Sequence, residues 1–187
     1  YNTTGLNNSA VGALALYQNT TGYSNTAMGY YALNANTIGY QNTAHGFSAL
    51  AANTSGDFST AVGANALLVN TTGQNNTSVG ANSMFSNTGG NQNSALGSGA
   101  LNLATTAQSN VAVGFDAMNK TLTGSNNIGI GDSALYNNTT GADNLALGSG
   151  ALSSNSVGSY NVAVGRNALT SATGDTNTAV GNGAAYS

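Results

Sequence analysis

The chain has 187 residues, a formal net charge of −3 and only 4% charged residues, against about 25% in ordinary soluble domains. One histidine, seven charged side chains and no cysteine leave almost no material for acid–base, thiolate or metal chemistry. Two fixed cations (Lys120 and Arg166) exclude a nucleic-acid footprint, no apolar run approaches the roughly 20 residues of a membrane span, and no signal peptide is visible. The expectation is a chain that is not an enzyme, takes no cofactor and does not insert into a membrane.

Glycines set a beat from the start of the chain: Gly5, Gly22, Gly39, Gly56, Gly73, Gly90, Gly124, Gly141, Gly158 and Gly174. The frame is 17 residues; Ala107 fills the one empty place and the last step is 16. A unit this short cannot fold alone, so each is read as one coil of a solenoid. The fold class expected is all-β, a parallel β-solenoid (β-roll) of about eleven coils, with residues 1–187 a single repeat domain and a segment or module of a longer fibre.

With the frame glycine as slot one, each coil reads in the same order. Slot four is Asn in ten of eleven coils, from Asn8 to Asn177, with Ser59 the exception. Slot six is Ala except at Ser78 and Gly129, and slot seven is apolar except at His45. Slot eight is Gly in every coil, which with the frame glycine suits corners needing positive φ or close backbone approach. Slots eleven and twelve are Ala then Leu or Met in most coils, as in Ala15-Leu16 and Ala117-Met118. Glycine recurring this often opposes helix, so two short strands per coil are predicted, near slots four to seven and ten to thirteen. At about 4.8 Å per layer, eleven coils make a rod on the order of 50 Å long.

Asparagine recurs at slot fifteen as Asn2, Asn19, Asn36, Asn53, Asn70, Asn87, Asn138 and Asn155. Stacked identical amides predict hydrogen-bonded ladders along the rod. Asn2, Asn19, Asn53, Asn70 and Asn138 also stand in N-x-[ST] triplets, which the repeat itself generates. Thr20, Thr37, Thr54, Thr71, Thr88, Thr105 and Thr139 form a hydroxyl row, the sequence pattern an ice-binding face would need.

Along the chain, the first four coils concentrate aromatics in variable slots: Tyr23, Tyr30, Tyr31, Tyr40, Phe47 and Phe58. These are the candidate contact residues, either stacking on a glycan or other surface ligand, or sealing grooves between subunits. His45 follows, a metal candidate only if copies converge on an axis, with no second ligand in the adjoining coils. Asp57, Asp116, Asp132, Asp143, Asp175, Lys120 and Arg166 fall in variable slots and read as solvated surface. In the second half, slots five and seven become jointly apolar: Val111 with Val113, Ile128 with Ile130, Leu145 with Leu147, Val162 with Val164. A thin coil has one inside, so this second stripe is expected to face out and meet copies of the chain. Neither Tyr1-Asn2-Thr3-Thr4 nor Gly181 to Ser187 supplies a polar cap, so end-to-end stacking into a filament is a further expectation.

Units such as Asn25-Thr-Ala-Met-Gly-Tyr-Tyr-Ala-Leu33 and Asn161-Val-Ala-Val-Gly-Arg-Asn-Ala-Leu169 resemble the head repeats of trimeric autotransporter adhesins, the YadA-like head. Similar repeats occur in phage tail fibres and bacterial surface fibres. The resemblance covers all eleven coils, although repeats of that family are somewhat shorter and lack this chain's N-T-T corner. It implies a left-handed parallel β-roll, a homotrimer around a common axis, and an extracellular, cell-surface or virion fibre that adheres or spaces an adhesive tip.

Overall fold

Seventeen residues return the backbone to the same place one layer further on. The computed structural model describes residues 2–171 and 173–185, leaving Tyr1, Ala172, Tyr186 and Ser187 outside, so the expectations at the two extreme ends are covered only in part. Among the described residues, every strand has three residues and belongs to one parallel sheet, in the order β1 to β11. The strands are β1 (Ser9–Val11), β2 (Thr26–Met28), β3 (Thr43–His45), β4 (Thr60–Val62), β5 (Thr77–Val79) and β6 (Ser94–Leu96). They continue as β7 (Val111–Val113), β8 (Ile128–Ile130), β9 (Leu145–Leu147), β10 (Val162–Val164) and β11 (Thr178–Val180). The protein is an all-β parallel solenoid. The 16-residue step leaves the register intact, with Ala163 opposite Ala179; the missing residue comes out of the corner between Leu169 and Gly174.

Corner chemistry explains why the strands are so short. A left-handed residue at slot three (Ser24, φ 55°) precedes each strand, and the slot-eight glycine (Gly29, φ 138°) follows it. At Gly46 (φ 144°), an added β-carbon would also lie 2.7 Å from the Gly63 carbonyl carbon, so both conformation and space demand glycine. The frame glycines differ: their φ is not positive, and only space excludes a side chain. A β-carbon on Gly39 would fall 2.8 Å from Asn53 Nδ2 and closer still to Asn36 Oδ1 and the Gly56 carbonyl oxygen.

The second predicted strand, near slots ten to thirteen, does not form. Slots ten and twelve are left-handed, as at Tyr31 (φ 60°) and Leu33 (φ 49°), and the segment is a turn. Its N–H groups still bond between layers: Tyr31 N–H donates to the Ala13 carbonyl at 3.1 Å and Leu33 N–H to the Ala49 carbonyl at 3.0 Å. The physical reason lies in the side chains. Ala32 and Leu33 are consecutive and both fully buried, which a strand cannot achieve because its side chains alternate between faces. Left-handed backbone is costly for leucine, and the stack holds it because the alternative exposes the largest core side chain in the coil.

The interior is accordingly narrow. It holds slot-six Ala from the strand and slot-eleven Ala with slot-twelve Leu or Met from the turn, nearly all at 0% exposure. Departures from the pattern come in complementary pairs. Ser78 replaces Ala on the strand where Ser83 replaces Ala across the coil, and their hydroxyls bond at 2.7 Å. Gly129 omits a β-carbon that would meet Met118 Cγ at 2.7 Å, so the longer Met118 fills that space.

Candidate functional site

The corner nearest the frame glycine is held by side-chain amides of successive coils. Asn36 Nδ2 donates to Asn19 Oδ1 at 2.8 Å and to the Gly39 carbonyl at 2.9 Å, while Asn25 Nδ2 reaches the same carbonyl at 2.8 Å. The slot-four Oδ1 atoms accept the backbone N–H of the next coil, as Asn25 Oδ1 does from Asn42 at 3.0 Å. Both predicted ladders therefore exist and converge on the frame carbonyls. Asn19, Asn53, Asn70 and Asn138 are buried within them, so four of the five glycosylation triplets offer no amide in the folded chain; Asn2 is exposed. Ser59 keeps its ladder going through its hydroxyl, 3.3 Å from Asn76 N.

The Thr row is equally committed. Thr20 Oγ1 donates to the Thr37 carbonyl at 2.9 Å, and the same carbonyl accepts N–H bonds from Thr20, Thr21 and Gly22. Thr37, Thr54, Thr71, Thr88, Thr105 and Thr139 repeat the hydroxyl bond.

The outer sheet face carries slots five and seven. In β7 to β10 it is wholly aliphatic, with Ile128 and Leu147 exposed and Val111, Val113, Ile130, Leu145, Val162 and Val164 half-buried. In β2 to β6 slot five is Thr or Ser, and slot seven is apolar except at His45. His45 lies on this face, exposed, between Met28 and Val62. No group of three or more metal-ligating side chains exists among the described residues.

The six candidate aromatics separate into two columns flanking the strands. Before the strand, Tyr23 and Tyr40 stack at 4.7 Å and 5°, and Phe58 turns edge-on to Tyr40 at 5.1 Å and 78°. After it, Tyr30 stacks on Phe47 at 5.5 Å and 15° and tilts against Tyr31 at 4.6 Å. Within the columns, only the Tyr23–Tyr40 and Tyr30–Phe47 pairs stack face to face.

Sequence reasoning placed Asp57 with the solvated acids, and the structure corrects this. Asp57 is buried, and its Oδ1 accepts the Tyr40 backbone N–H at 2.9 Å. Its charge is the main cause holding the Tyr40 phenol above the ordinary value of 10.0, with desolvation, Tyr23 and a side-chain hydrogen bond to Asp57 adding to it. Other slot-two side chains make the same stitch to the layer before: Asn91 takes the Gln74 N–H at 2.8 Å.

One feature escaped the sequence reading altogether. A groove of about 470 Å³ is lined by Thr72, Gln74, Asn75, Gly89, Asn91, Gln92 and Gln108. Its signals were present: three of the chain's five glutamines lie here, and Gly89 stands at slot seventeen, where other coils carry Thr, Ser, Ile or Val.

Comparison with known proteins finds no matching family model and no matching curated relative.

Proposed function

We propose that this chain is a structural and adhesive fibre element: a rigid extracellular shaft or head, on a cell surface or virion, built by self-association of solenoids. The observation that carries the reading is the aliphatic outer face of β7 to β10. The coil interior is already filled by Ala, Leu and Met, so this stripe has no partner within the chain. Burying it stabilises at about 25 cal/mol per Å², and the copy best fitted to a straight, uncharged, periodic stripe is another of the same period. Three chains around one axis is the arrangement that the likeness to adhesin heads implies. The Tyr30–Tyr31–Phe47 column borders the face and extends the seam, while the Tyr23–Tyr40–Phe58 column presents a contact surface for adhesion.

Sedimentation of the native protein tests this. A single species of about three times the 18.4 kDa chain mass supports it. Ile130→Lys with Val164→Lys is expected to yield monomers whose circular dichroism keeps the β-solenoid signature. A wild-type chain that stays monomeric at high concentration removes the seam from the account. Electron micrographs of the same material read width and end-to-end continuity, and so decide the filament alternative.

A further inference from the structure

The groove around Gly89 is a surface feature with the chemistry of a ligand site, and we propose that it binds a short stretch of a neutral glycan. The inference rests on the adhesive reading and names the ligand class.

The site is assembled by register. Slot two brings Gln74, Asn91 and Gln108 into line on successive layers, and slot three does the same for Asn75 and Gln92. At about 4.8 Å per layer, the amides of coils five to seven span roughly 10 Å. Slot seventeen elsewhere projects a side chain over this corner; Gly89 removes it and opens the notch between Thr72 and the amides. Asn91 is fixed as one wall, accepting the Gln74 N–H at 2.8 Å and donating to the Gly89 carbonyl at 3.1 Å. Gln92 Oε1 is 3.4 Å from Ser109 Oγ. The side-chain amides of Gln74, Asn75 and Gln108 take part in no hydrogen bond among the described residues, and all three are exposed. On the same slot as Asn75, one layer earlier, Phe58 stands exposed and turned out of the tyrosine stack.

Each free amide offers a donor pair and an acceptor at one point, which matches the adjacent hydroxyls of a pyranose ring. Phe58 supplies an apolar surface for a ring's C–H face. No charged side chain lines the groove, so an anionic glycan gains nothing over a neutral one. A peptide is disfavoured because backbone recognition needs an unpaired edge, and here the backbone is bonded to the layers on both sides: Gln92 N–H donates to the Gln74 carbonyl and Ser109 N–H to the Asn91 carbonyl.

Affinity electrophoresis of the full chain tests this, in native gels cast with mannan, dextran, galactan or soluble β-glucan, with heparin as the anionic comparison. At least one neutral polysaccharide is expected to retard the protein. Gly89→Val is expected to weaken that retardation at least tenfold. Gly89 has no positive φ and its nearest non-neighbouring atom, Thr72 Oγ1, is 3.4 Å from a built β-carbon, and Val157 already occupies this slot, so the variant folds. Gln74→Ala with Gln108→Ala is expected to do the same, and Tyr160→Ala, exposed on the Phe58 slot six layers further on, to change nothing. Retardation by none of the four, by heparin alone, or equally for Gly89→Val overturns the site. Sedimentation in the absence of polysaccharide reports the assembled shaft separately, so loss of the ligand and loss of the shaft are told apart.

Discussion

Ala107 replaces a frame glycine at the corner where Ala104, three residues earlier, replaces a ladder asparagine. At every other complete rung, a β-carbon on the frame glycine would strike the amide three residues earlier, as it would at Gly39 against Asn36. Ala104 takes away that contact, and Thr121 in place of the next rung's asparagine takes away a second amide that a frame β-carbon would meet. The cost appears on the neighbouring layers, where Asn87 Oδ1 and Thr121 Oγ1 are buried without partners.

The pair predicts strong coupling. Ala104→Asn alone drives an amide against the Ala107 methyl and destabilises by about 1–3 kcal/mol. Combined with Ala107→Gly, the new amide completes the ladder between Asn87 and Thr121, and the double variant is at least as stable as the parent. A thermal-denaturation double-mutant cycle measures this; additive effects would show the two sites to be independent.

Mid-ladder amides carry more than terminal ones. Asn53→Ala strips Asn36 Oδ1 of its donor and removes one of two donors from the Gly56 carbonyl. A loss of about 2–3 kcal/mol is expected. Asn87→Ala shifts an existing orphan back by one layer, since Asn87 Oδ1 is already unpartnered, and costs less. Chemical denaturation of the two variants side by side ranks them.

Gly129 and Met118 predict a rescue. Gly129→Ala overpacks the core by about 1–2 kcal/mol, and adding Met118→Leu restores most of it, because Leu101 beneath Ala112 and Leu135 beneath Ala146 already show that combination fits. Equal melting temperatures for the single and double variants would contradict the packing account.

Tyr40 predicts an alkaline response. Its raised pKa means the folded chain holds the phenolic proton to higher pH than the unfolded chain does. The associated stability is intact below about pH 10 and declines as pH rises beyond it. Asp57→Asn removes the leading cause, so the Tyr40 titration followed by ring-carbon NMR moves down toward the ordinary range.

The Thr row predicts no ice activity. Each hydroxyl proton is spent on the carbonyl of the next layer, so the row presents no regular donor lattice to water. Thermal hysteresis is expected to be zero at high protein concentration.

The 17-residue period by itself determined the solenoid, the amide ladders, the Ala interior of slot six and the outward aliphatic stripe. Each follows because identical residues at a fixed spacing must stack on one another. Even the missing second strand was legible in part, since Ala-Leu at slots eleven and twelve are adjacent and both apolar. What decided their placement was the left-handed backbone at Tyr31 and Leu33, which β-like composition does not announce. Only the tertiary structure brought Gln74, Asn91 and Gln108 into one groove and put Asp57 beneath Tyr40, because those slots vary from coil to coil and a period carries no information about residues that break it.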